Sequence, residues 1–294
     1  MLTLNLKDLL PADIQNYLQH AVAPRPICFA STIDKEGNVN LSPFSFFNLF
    51  SCNPPIVIFS PARRMRDNTT KHTLQNVLEV PEVVINICDY NMVQQVSLSS
   101  CEYLKGTDEF VKAGFTKMPS VVVKPPRVKE SPIQLECKVI EVKPLGAQGG
   151  AGNLVIVEVL LMHINETVLN NDGKIDQRKL DLVARLGGNW YTRANTATIF
   201  EVEKPNTQLG IGVDALPASI KNSAILTGNN LGQLGNVPEI PFIDPAFHDD
   251  KFKNIIQYYS INPQEMENEL QLFAKELLDA GKVNEAWQVL LSLS

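Results

Sequence analysis

The sequence predicts a mainly β protein, a closed or nearly closed antiparallel barrel with peripheral helices, followed by a helical C-terminal segment. Three observations predict it. Short apolar runs of strand length recur in the first 205 residues, including Ile56 to Ser60 and Val83 to Cys88. Apolar and polar residues alternate from Ile133 to Val139, which is the period of a half-buried strand. The helical stretches between these strands are short, and that combination fits a barrel with helices around it.

The first predicted elements are a short helix and a β-hairpin. The helix covers Asp13 to His20. Two strands, Ile27 to Asp34 and Val39 to Leu41, flank a four-residue turn, Lys35-Glu36-Gly37-Asn38. Glycine and asparagine tolerate positive φ, so this turn is typical of a hairpin. Two later helices are predicted over roughly Thr73 to Glu79 and Asn91 to Ser99.

Two long strands are predicted to be antiparallel neighbours. The strand that contains Ile133 to Val139 leads into the turn-rich stretch PLGAQGGAGN, and a second apolar strand runs from Leu154 to Ile164. Because glycine and proline reverse the chain direction, the two strands should pair. The glycine-rich stretch leads into a strand, so we expect it to be a loop.

The chain changes character after Pro205. Residues 205 to 245 are rich in Gly, Pro and Asn and are predicted to wrap the barrel surface. A helical hairpin is predicted beyond them, because apolar residues recur at helical spacing and Gly281 suits a helix C-terminus. We therefore divide the chain into a barrel domain (1–205), a wrapping extension packed on the barrel (206–245) and a helical hairpin (246–294). The hairpin is expected to pack on the barrel or on a second subunit, and recruitment of another protein is the alternative.

Composition excludes several classes of function. A net charge of -6 and a pI near 5.3 argue against nucleic-acid binding, which needs a basic face. The strongest apolar run, Leu154 to Met162, contains Glu158 and is too short to span a membrane. The N-terminal MLTLNLKDLLPAD lacks a secretory signal. Five cysteines without a Cys-x-x-Cys pair indicate reduced thiols, so we expect a cytoplasmic protein.

Three familiar motifs are rejected. Gly210 to Ala215 matches the dinucleotide pattern G-x-G-x-x-A, yet no strand precedes it and Pro217 follows where a helix should run. The four histidines stand far apart, without the paired spacing of a zinc site, so no metal is expected. No Gly-x-Ser-x-Gly elbow supports a hydrolase triad.

A basic segment, FSPARRMRDNTTKHT from Phe59 to Thr73, is unusual in this acidic chain. A predicted strand runs into it, and a helix is expected to begin near Thr70 or Thr73. Backbone N–H groups and the helix dipole favour an anion at a helix start. Arginine forks, threonine hydroxyls and the Lys71 ammonium add donors. The segment predicts a phosphate site, and a solvated basic surface loop is the alternative.

A second segment, NVNLSPFSFFNLFSCNPP from Asn38 to Pro55, alternates polar residues with proline and phenylalanine. Pro43 leaves the backbone groups of its neighbours free to face a ligand. The adjacent aromatic rings can cover a flat heterocycle. An apolar corner of the core is the alternative interpretation of this piece.

Together these segments resemble a known family. AVAPRPICFASTIDKEGNVNLSPFSFFNLFSCNPPIVIFSPARR, followed by KHTLQN, closely resembles the flavin reductase-like proteins of the FMN-binding split-barrel superfamily. Further matches follow in the same order: YLKGTDEFVKAGFT, RVKESPIQLECKV, RLGGNWYTRAN and GVDALPASIKNSAILTGNNLGQL. The resemblance covers about residues 20 to 235. It implies an antiparallel split β-barrel of the FMN-binding type, here with a C-terminal helical extension.

The resemblance also implies a set of site residues. Contacts to the isoalloxazine ring are implied for Asn40, Ser42, Pro43, Phe44, Ser45 and Phe46. Contacts to the ribityl phosphate are implied for Ser60, Arg63, Arg64, Lys71 and Thr73. Weaker candidates, from the segment RLGG-x-x-Tyr that commonly approaches the cofactor or substrate pocket, are Arg185 and Tyr191. Relatives often read Lys-Asp-Thr where this chain has His72 in the middle, so the role of that position stays open.

The function implied by the resemblance is that of an FMN flavoprotein. We expect NADH or NADPH to reduce the bound FMN, which passes the electrons to a flavin or another acceptor. A homodimer with FMN at the subunit interface is implied as well. One alternative is a flavin-binding carrier, sensor or scaffold without turnover. Another is a split-barrel oxidase that acts on a pyridoxal-type phosphate through the same anion loop.

Overall fold

The structure, a computed structural model, describes residues 1–202, 204–205 and 208–292. It divides into two compact units, Met1–Phe200 and Glu201–Ser294. The first unit is mostly antiparallel sheet with helices, as the sequence predicts.

The strands belong to the first unit, and every pairing between them is antiparallel. Their bounds are β1 Cys28–Ile33, β2 Val39–Phe44, β3 Phe47–Cys52, β4 Pro55–Phe59, β5 Glu82–Ile87, β6 Lys117–Met118, β7 Arg127–Val128, β8 Ile133–Pro144, β9 Asn153–Ile164, β10 Leu182–Arg185 and β11 Tyr191–Ala194. Seven strands form one sheet in the order β2-β1-β5-β8-β9-β4-β3, while β6 pairs with β7 and β10 with β11.

The helices lie in both units. Their bounds are α1 Pro11–Ala21, α2 His72–Glu79, α3 Val93–Leu98, α4 Glu109–Ala113, α5 Gln177–Leu180, α6 Ala218–Lys221, α7 Gly228–Gly235, α8 Asp250–Tyr258, α9 Pro263–Asp279 and α10 Val283–Leu291. The three predicted helices of the first unit are confirmed as α1, α2 and α3. Within the described ranges, no helix combines the length and apolarity needed to cross a bilayer.

Both predicted hairpins are confirmed. Between β1 and β2, Gly37 has a φ of 86°, and the Asp34 carboxylate accepts hydrogen bonds from the backbone N–H of Glu36 and Asn38. These bonds satisfy turn donors that the strands leave unpaired. The long pair β8 and β9 is joined by the glycine-rich stretch, which is a loop as predicted.

The seven-stranded sheet curls around one apolar core. Residues from both ends of the sheet enter that core, and the rings of Phe44 on β2 and Phe59 on β4 have centroids 5.5 Å apart. The two end strands, β2 and β3, are not joined by a backbone ladder anywhere in the described part of the chain. The sheet is therefore curled but open, so the closed form of the predicted closed or nearly closed barrel is not present as backbone pairing.

The end strands differ from the predicted pattern. The strand predicted over Val39 to Leu41 continues through Pro43 to Phe44, opposite β1. Proline is tolerated there because β2 has a neighbour on one side only. Strand β3 was missed by the sequence analysis, because its residues are mostly exposed and show no clean alternation.

The second unit has its own apolar core. Trp287 on α10 is fully buried, and Leu270 and Leu278 on α9 pack in the same cluster. Ile220 and Leu234, from the Gly- and Pro-rich stretch, belong to this cluster as well. That stretch therefore shares a core with the C-terminal helices. Its predicted packing on the barrel, and the division at 205 and 245, stay predictions.

Candidate functional site

The loop after β4 is held by its own side chains. The Arg63 guanidinium donates to Asn68 Oδ1 at 2.7 Å and to the Asn68 carbonyl at 2.6 Å. Asn68 has a φ of 56°, a left-handed conformation that asparagine tolerates better than most residues. Arg63 therefore shapes the loop, and its predicted contact with a phosphate would have to be made alongside these bonds.

The glycine-rich loop between β8 and β9 packs directly on this segment. Gly150 N–H donates to the Arg63 carbonyl, and Arg63 N–H donates to the Ala151 carbonyl. A Cβ at Gly149 would lie 3.0 Å from the Met65 backbone, and a Cβ at Gly152 would lie 2.6 Å from the hydroxyl of Ser60. Only glycine permits such close approach. The sequence analysis identified this loop but not its contact with the site.

Arg64 is mostly buried and has several partners. Its Nη1 donates to Thr69 Oγ1 at 3.0 Å and to the Thr70 carbonyl at 2.7 Å. Its Nε lies 3.1 Å from Oε1 of Glu102, whose other oxygen accepts from Arg66 at 2.7 Å. These partners, with Arg66 foremost, hold the pKa of Glu102 below its usual value. A carboxylate of the chain itself thus sits against the predicted phosphate-binding arginine.

Helix α2 begins at His72, with Lys71 as its N-cap. First-turn N–H groups have no partner within a helix, and those of His72 and Thr73 donate to no other described residue. The buried Thr73 Oγ1 accepts from Asn40 Nδ2 at 2.8 Å, so α2 is joined to β2. The sequence correctly predicted a helix start in this basic segment.

Lys71, at the start of α2, is a cation without a carboxylate partner among the described residues. Its side chain is partly buried, and its ammonium has no hydrogen bond or ion pair with any described residue. Burial, followed by the nearby charge of Arg64, lowers the pKa of Lys71. A partly desolvated and unpaired ammonium is unfavourable by itself, and an anion would relieve it.

Lys71 lies at the junction of two cavities. The first, which we call the polar pocket, is a small recess of about 20 Å³ at the start of α2. Its walls include Asn40, Ser42, Arg64, Lys71, Thr73 and Glu109. Burial raises the pKa of the Glu109 carboxyl, which accepts a hydrogen bond from Leu41 N–H at 3.0 Å. Glu102 lines it as well, so the pocket presents cations, hydroxyls and two carboxyl groups rather than an apolar surface.

The second cavity, which we call the apolar cavity, has a volume of about 590 Å³. One wall is formed by the β2–β3 corner, and Ser60 and Lys71 provide polar groups. The opposite wall is formed by α1, through Ile14 and Leu18. The corner contributes Pro43, Phe44, Ser45 and Phe46. The size and mixed lining are typical of a small-molecule site. The contribution of α1 was missed, because sequence periodicity does not say what a helix face covers.

Arg25 joins the walls of the apolar cavity. Its guanidinium is buried and donates to the carbonyls of Val22 at 2.7 Å and Leu186 at 2.9 Å, and also to the Gln19 carbonyl. Its Nε approaches Ser45 Oγ at 3.5 Å. Arg25 thereby links the end of α1 to the β2–β3 corner and to the hairpin of β10 and β11. The sequence analysis did not select Arg25.

Arg185 and Tyr191 do not line either cavity. They lie on β10 and β11, opposite one another, and border a third space of about 370 Å³ that we call the hairpin cavity. The backbone of Arg185 pairs with that of Arg25, so the hairpin is attached to the wall of the apolar cavity. The predicted contact of Arg185 and Tyr191 with a flavin stays a prediction.

The remaining predicted residues are brought together by the structure. Those at the apolar cavity are Pro43, Phe44, Ser45, Phe46 and Ser60; those at the polar pocket are Asn40, Ser42, Arg64 and Thr73; Lys71 borders both. Arg63 lies in the loop after β4 and is not among the described lining residues of either cavity.

Comparison with known proteins decides the family. Residues 20–179 match the model of the flavin reductase like domain. The chain belongs to this family. An uncharacterised protein of Aquifex aeolicus is 36% identical over 173 residues, which cover 59% of this chain and 86% of that protein.

Solved structures of the flavin reductase-like fold agree. Nitrilotriacetate monooxygenase component B from Bacillus cereus is 30% identical, with a TM-score of 0.64 over 69% of this chain and 98% of that one. The 2-nitrobenzoate 2-nitroreductase of Pseudomonas fluorescens is 23% identical, with a TM-score of 0.61 over 69% of this chain and 96% of that one. The flavoredoxin of Desulfovibrio vulgaris is 20% identical, with a TM-score of 0.52 over 62% and 91% of the two chains. The last two proteins are less than 25% identical to this chain, so these two comparisons show a shared fold.

Proposed function

We propose that this protein binds FMN and is an NAD(P)H-dependent, flavin reductase-like oxidoreductase. One observation carries the proposal: the unpaired Lys71 ammonium stands where an apolar cavity meets a polar pocket at a helix start. A ligand with a flat apolar ring and a phosphate would satisfy both spaces. Membership of the flavin reductase-like family supports FMN as that ligand.

The ring end of FMN fits the apolar cavity by its chemistry. Pro43, Phe44 and Phe46 offer flat or aromatic contact, while Ser45 offers a hydroxyl beside them. Phe44 is buried, and its ring packs against Phe59, so its position is fixed by the core before any ligand arrives. A wall held in this way costs little conformational entropy on binding.

The phosphate end fits the donors around Lys71. The ammonium, the two free N–H groups of the first turn of α2 and the Thr73 hydroxyl can all donate to phosphate oxygens. Arg64 adds a second cation once a phosphate competes with Glu102 for its guanidinium. Ser60 lies at the end of β4, in the lining of the apolar cavity.

FMN, when bound, supplies the redox chemistry: it accepts hydride from a nicotinamide and passes electrons to an acceptor. The chain's own residues bind and orient the reactants. The Phe44 and Phe46 wall and the α1 wall would flank the ring of the cofactor. Because the cofactor carries the chemistry, the absence of a catalytic histidine or cysteine from the lining of the apolar cavity, as described, is no objection.

The proposed assembly is a homodimer of split barrels. On the end strand β3, Leu49 and Phe50 are more than half exposed, and Phe46 at the cavity rim is 42% exposed. Apolar side chains grouped on an end strand favour burial against a second copy. Light scattering of the purified chain measures the state, and a monomer at micromolar concentration would refute it.

The function is tested by anaerobic reduction. The purified protein should be yellow, and NADH or NADPH should bleach it without oxygen; a panel of flavin and other acceptors should then restore the colour. Bound FMN that neither nicotinamide reduces would identify a carrier, sensor or scaffold instead. A protein that binds a pyridoxal-type phosphate but no flavin would refute the proposal.

A further inference from the structure

The hairpin cavity lies between the β10–β11 hairpin and α3. On the hairpin side it is lined by Arg185, Tyr191 and Arg193; on the other side it is lined by Tyr90, Gln94 and Ser97. No aspartate or glutamate is among its described lining residues. Its volume of about 370 Å³ is in the range of small-molecule sites.

One of the two arginines is already neutralised. Arg193 forms two hydrogen bonds of 2.6 Å with the carboxylate of Asp181, which lies outside the lining. These bonds hold the pKa of Asp181 below its usual value. The guanidinium of Arg193 also lies 3.8 Å from the centre of the Tyr90 ring. The Arg193 guanidinium is therefore a fixed planar part of the cavity lining, and its charge is largely balanced by Asp181.

Arg185 provides the free charge. It forms no ion pair with a carboxylate in the described part of the chain, and its guanidinium donates one hydrogen bond, of 2.8 Å, to the Gly188 carbonyl. It lies 4.6 Å from the centre of the Tyr191 ring. A guanidinium donates through five N–H groups in a planar fork, so most of its donors stay available for a second, flat partner.

We propose that the hairpin cavity binds a planar aromatic anion, with its acid group on Arg185 and its ring between the aromatic and guanidinium surfaces of the hairpin and Tyr90. Gln94 and Ser97, exposed on α3, offer polar contacts to the ligand edge. A ring alone would leave Arg185 without an anionic partner, and a small anion alone would make little contact with the rings of Tyr90 and Tyr191. The lining therefore favours a ligand with both properties.

This site is separate from the one assigned to FMN. The apolar cavity and the hairpin cavity share no lining residue. Their walls are joined by the backbone bridge between Arg25 and Arg185 and by the hydrogen bond from Arg25 to the Leu186 carbonyl. The proposal does not rest on flavin binding, and it goes beyond it, because it assigns a second ligand. Aromatic carboxylates and nucleotide monophosphates both have the required chemistry.

The test is calorimetric titration of the full-length protein, with and without saturating FMN, using benzoate and adenosine monophosphate as probes. Benzyl alcohol and acetate are the controls that lack the charge or the ring. At least one anionic probe should bind, and more tightly than both controls. Benzoate alone would indicate an aromatic carboxylate as the source, and adenosine monophosphate alone would indicate a nucleotide. Failure of both probes, or equal binding of the controls, would overturn the proposal.

Two variants localise the site. Arg185→Gln should lower the affinity for the probe at least about tenfold, because a charge-assisted hydrogen bond is lost. Gln94→Glu adds a carboxylate on the exposed face of α3 and should also weaken binding, without disturbing the core. Lys35→Gln, in the β1–β2 turn, removes one positive charge elsewhere and should leave binding unchanged. Probe affinity that survives both cavity variants would refute the assignment.

Fluorescence provides an independent readout. Trp190 lies in the β10–β11 turn between Asn189 and Tyr191 and is 73% exposed, whereas the other tryptophan, Trp287, is fully buried in the second unit. A bound probe should change the emission of Trp190, and Trp190→Phe should abolish that change while calorimetry still detects binding. FMN affinity measured in Gln94→Glu, whose changed side chain lines the hairpin cavity and not the apolar cavity, should equal that of the wild type, so a failure of flavin binding is distinguished from a failure of this site.

Discussion

Replacement of Lys71 by methionine tests the anion site directly. Methionine keeps an unbranched side chain of similar length and removes the ammonium, with its charge and its N–H donors. A hydrogen bond to a charged group contributes about 1.5–3 kcal/mol, so the loss of one ammonium–phosphate contact should weaken FMN by about 10- to 150-fold. The affinity for riboflavin, which has the same ring and no phosphate, should change little in this variant. The ratio of the two affinities is therefore the quantity to measure.

The assay is a titration of flavin fluorescence at fixed ionic strength. Lys71→Arg retains the charge and should restore most of the FMN preference, while Lys35→Met controls for the change in net charge. Higher salt should weaken FMN in the wild type more than in Lys71→Met, because a charge pair is screened. An equal loss for FMN and riboflavin would refute the phosphate assignment.

The same variant should stabilise the protein without ligand. Burial lowers the pKa of Lys71, so its charged form is disfavoured in the folded state. For a base, the unfolded chain then binds more protons than the folded one between the lowered pKa and the usual value near 10.5, and stability rises with pH there. Lys71→Met removes this penalty at neutral pH. A lower melting temperature for the ligand-free variant would indicate a structural role instead.

Three further predictions concern the surroundings of Lys71. Glu102→Gln should raise the affinity for FMN several-fold in the same titration, because the Glu102 carboxylate competes with the phosphate for two arginines. Asp67→Asn, beside one of these arginines, should change the FMN affinity less. A lower FMN affinity in Glu102→Gln would contradict this prediction. Gly152→Ala should lower the free energy of unfolding by about 1–3 kcal/mol, since its Cβ would overlap the hydroxyl at the end of β4. Gly232→Ala, which has open space inside α7, should raise the free energy of unfolding slightly in the same denaturant titration, because alanine favours a helix more than glycine does. Glu109→Gln should flatten the pH dependence of stability. In the wild type, the raised pKa of Glu109 makes the folded state lose stability as pH rises above about 4.5. Denaturant unfolding of both proteins from pH 4 to 8 measures this difference.

The sequence predicted those parts of the fold that depend on local pattern. Alternation located the strand of Ile133 to Val139, and Gly37 marked the β1–β2 turn. The helix start at His72 followed from a basic, threonine-rich segment after a buried strand. The arrangement around Lys71 was predictable because its parts lie within one short stretch and its neighbour β2.

The rest depended on contacts between distant segments. Periodicity identified α1 as a helix, but only the folded chain shows that Ile14 and Leu18 face the apolar cavity. The bridge between Arg25 and Arg185 joins positions far apart in sequence and places Tyr191 in another cavity. Arg63 looked available for an anion, yet the left-handed turn at Asn68 occupies its guanidinium.

The Arg25 side chain connects three segments of the first unit through hydrogen bonds. It donates to the Val22 carbonyl at the end of α1 and to the Leu186 carbonyl of the hairpin, and more weakly to the Ser45 hydroxyl at the β2–β3 corner. The lining of the apolar cavity therefore includes a side chain whose hydrogen bonds go to the protein itself. A change at this one position would act on α1, the hairpin and the corner at the same time.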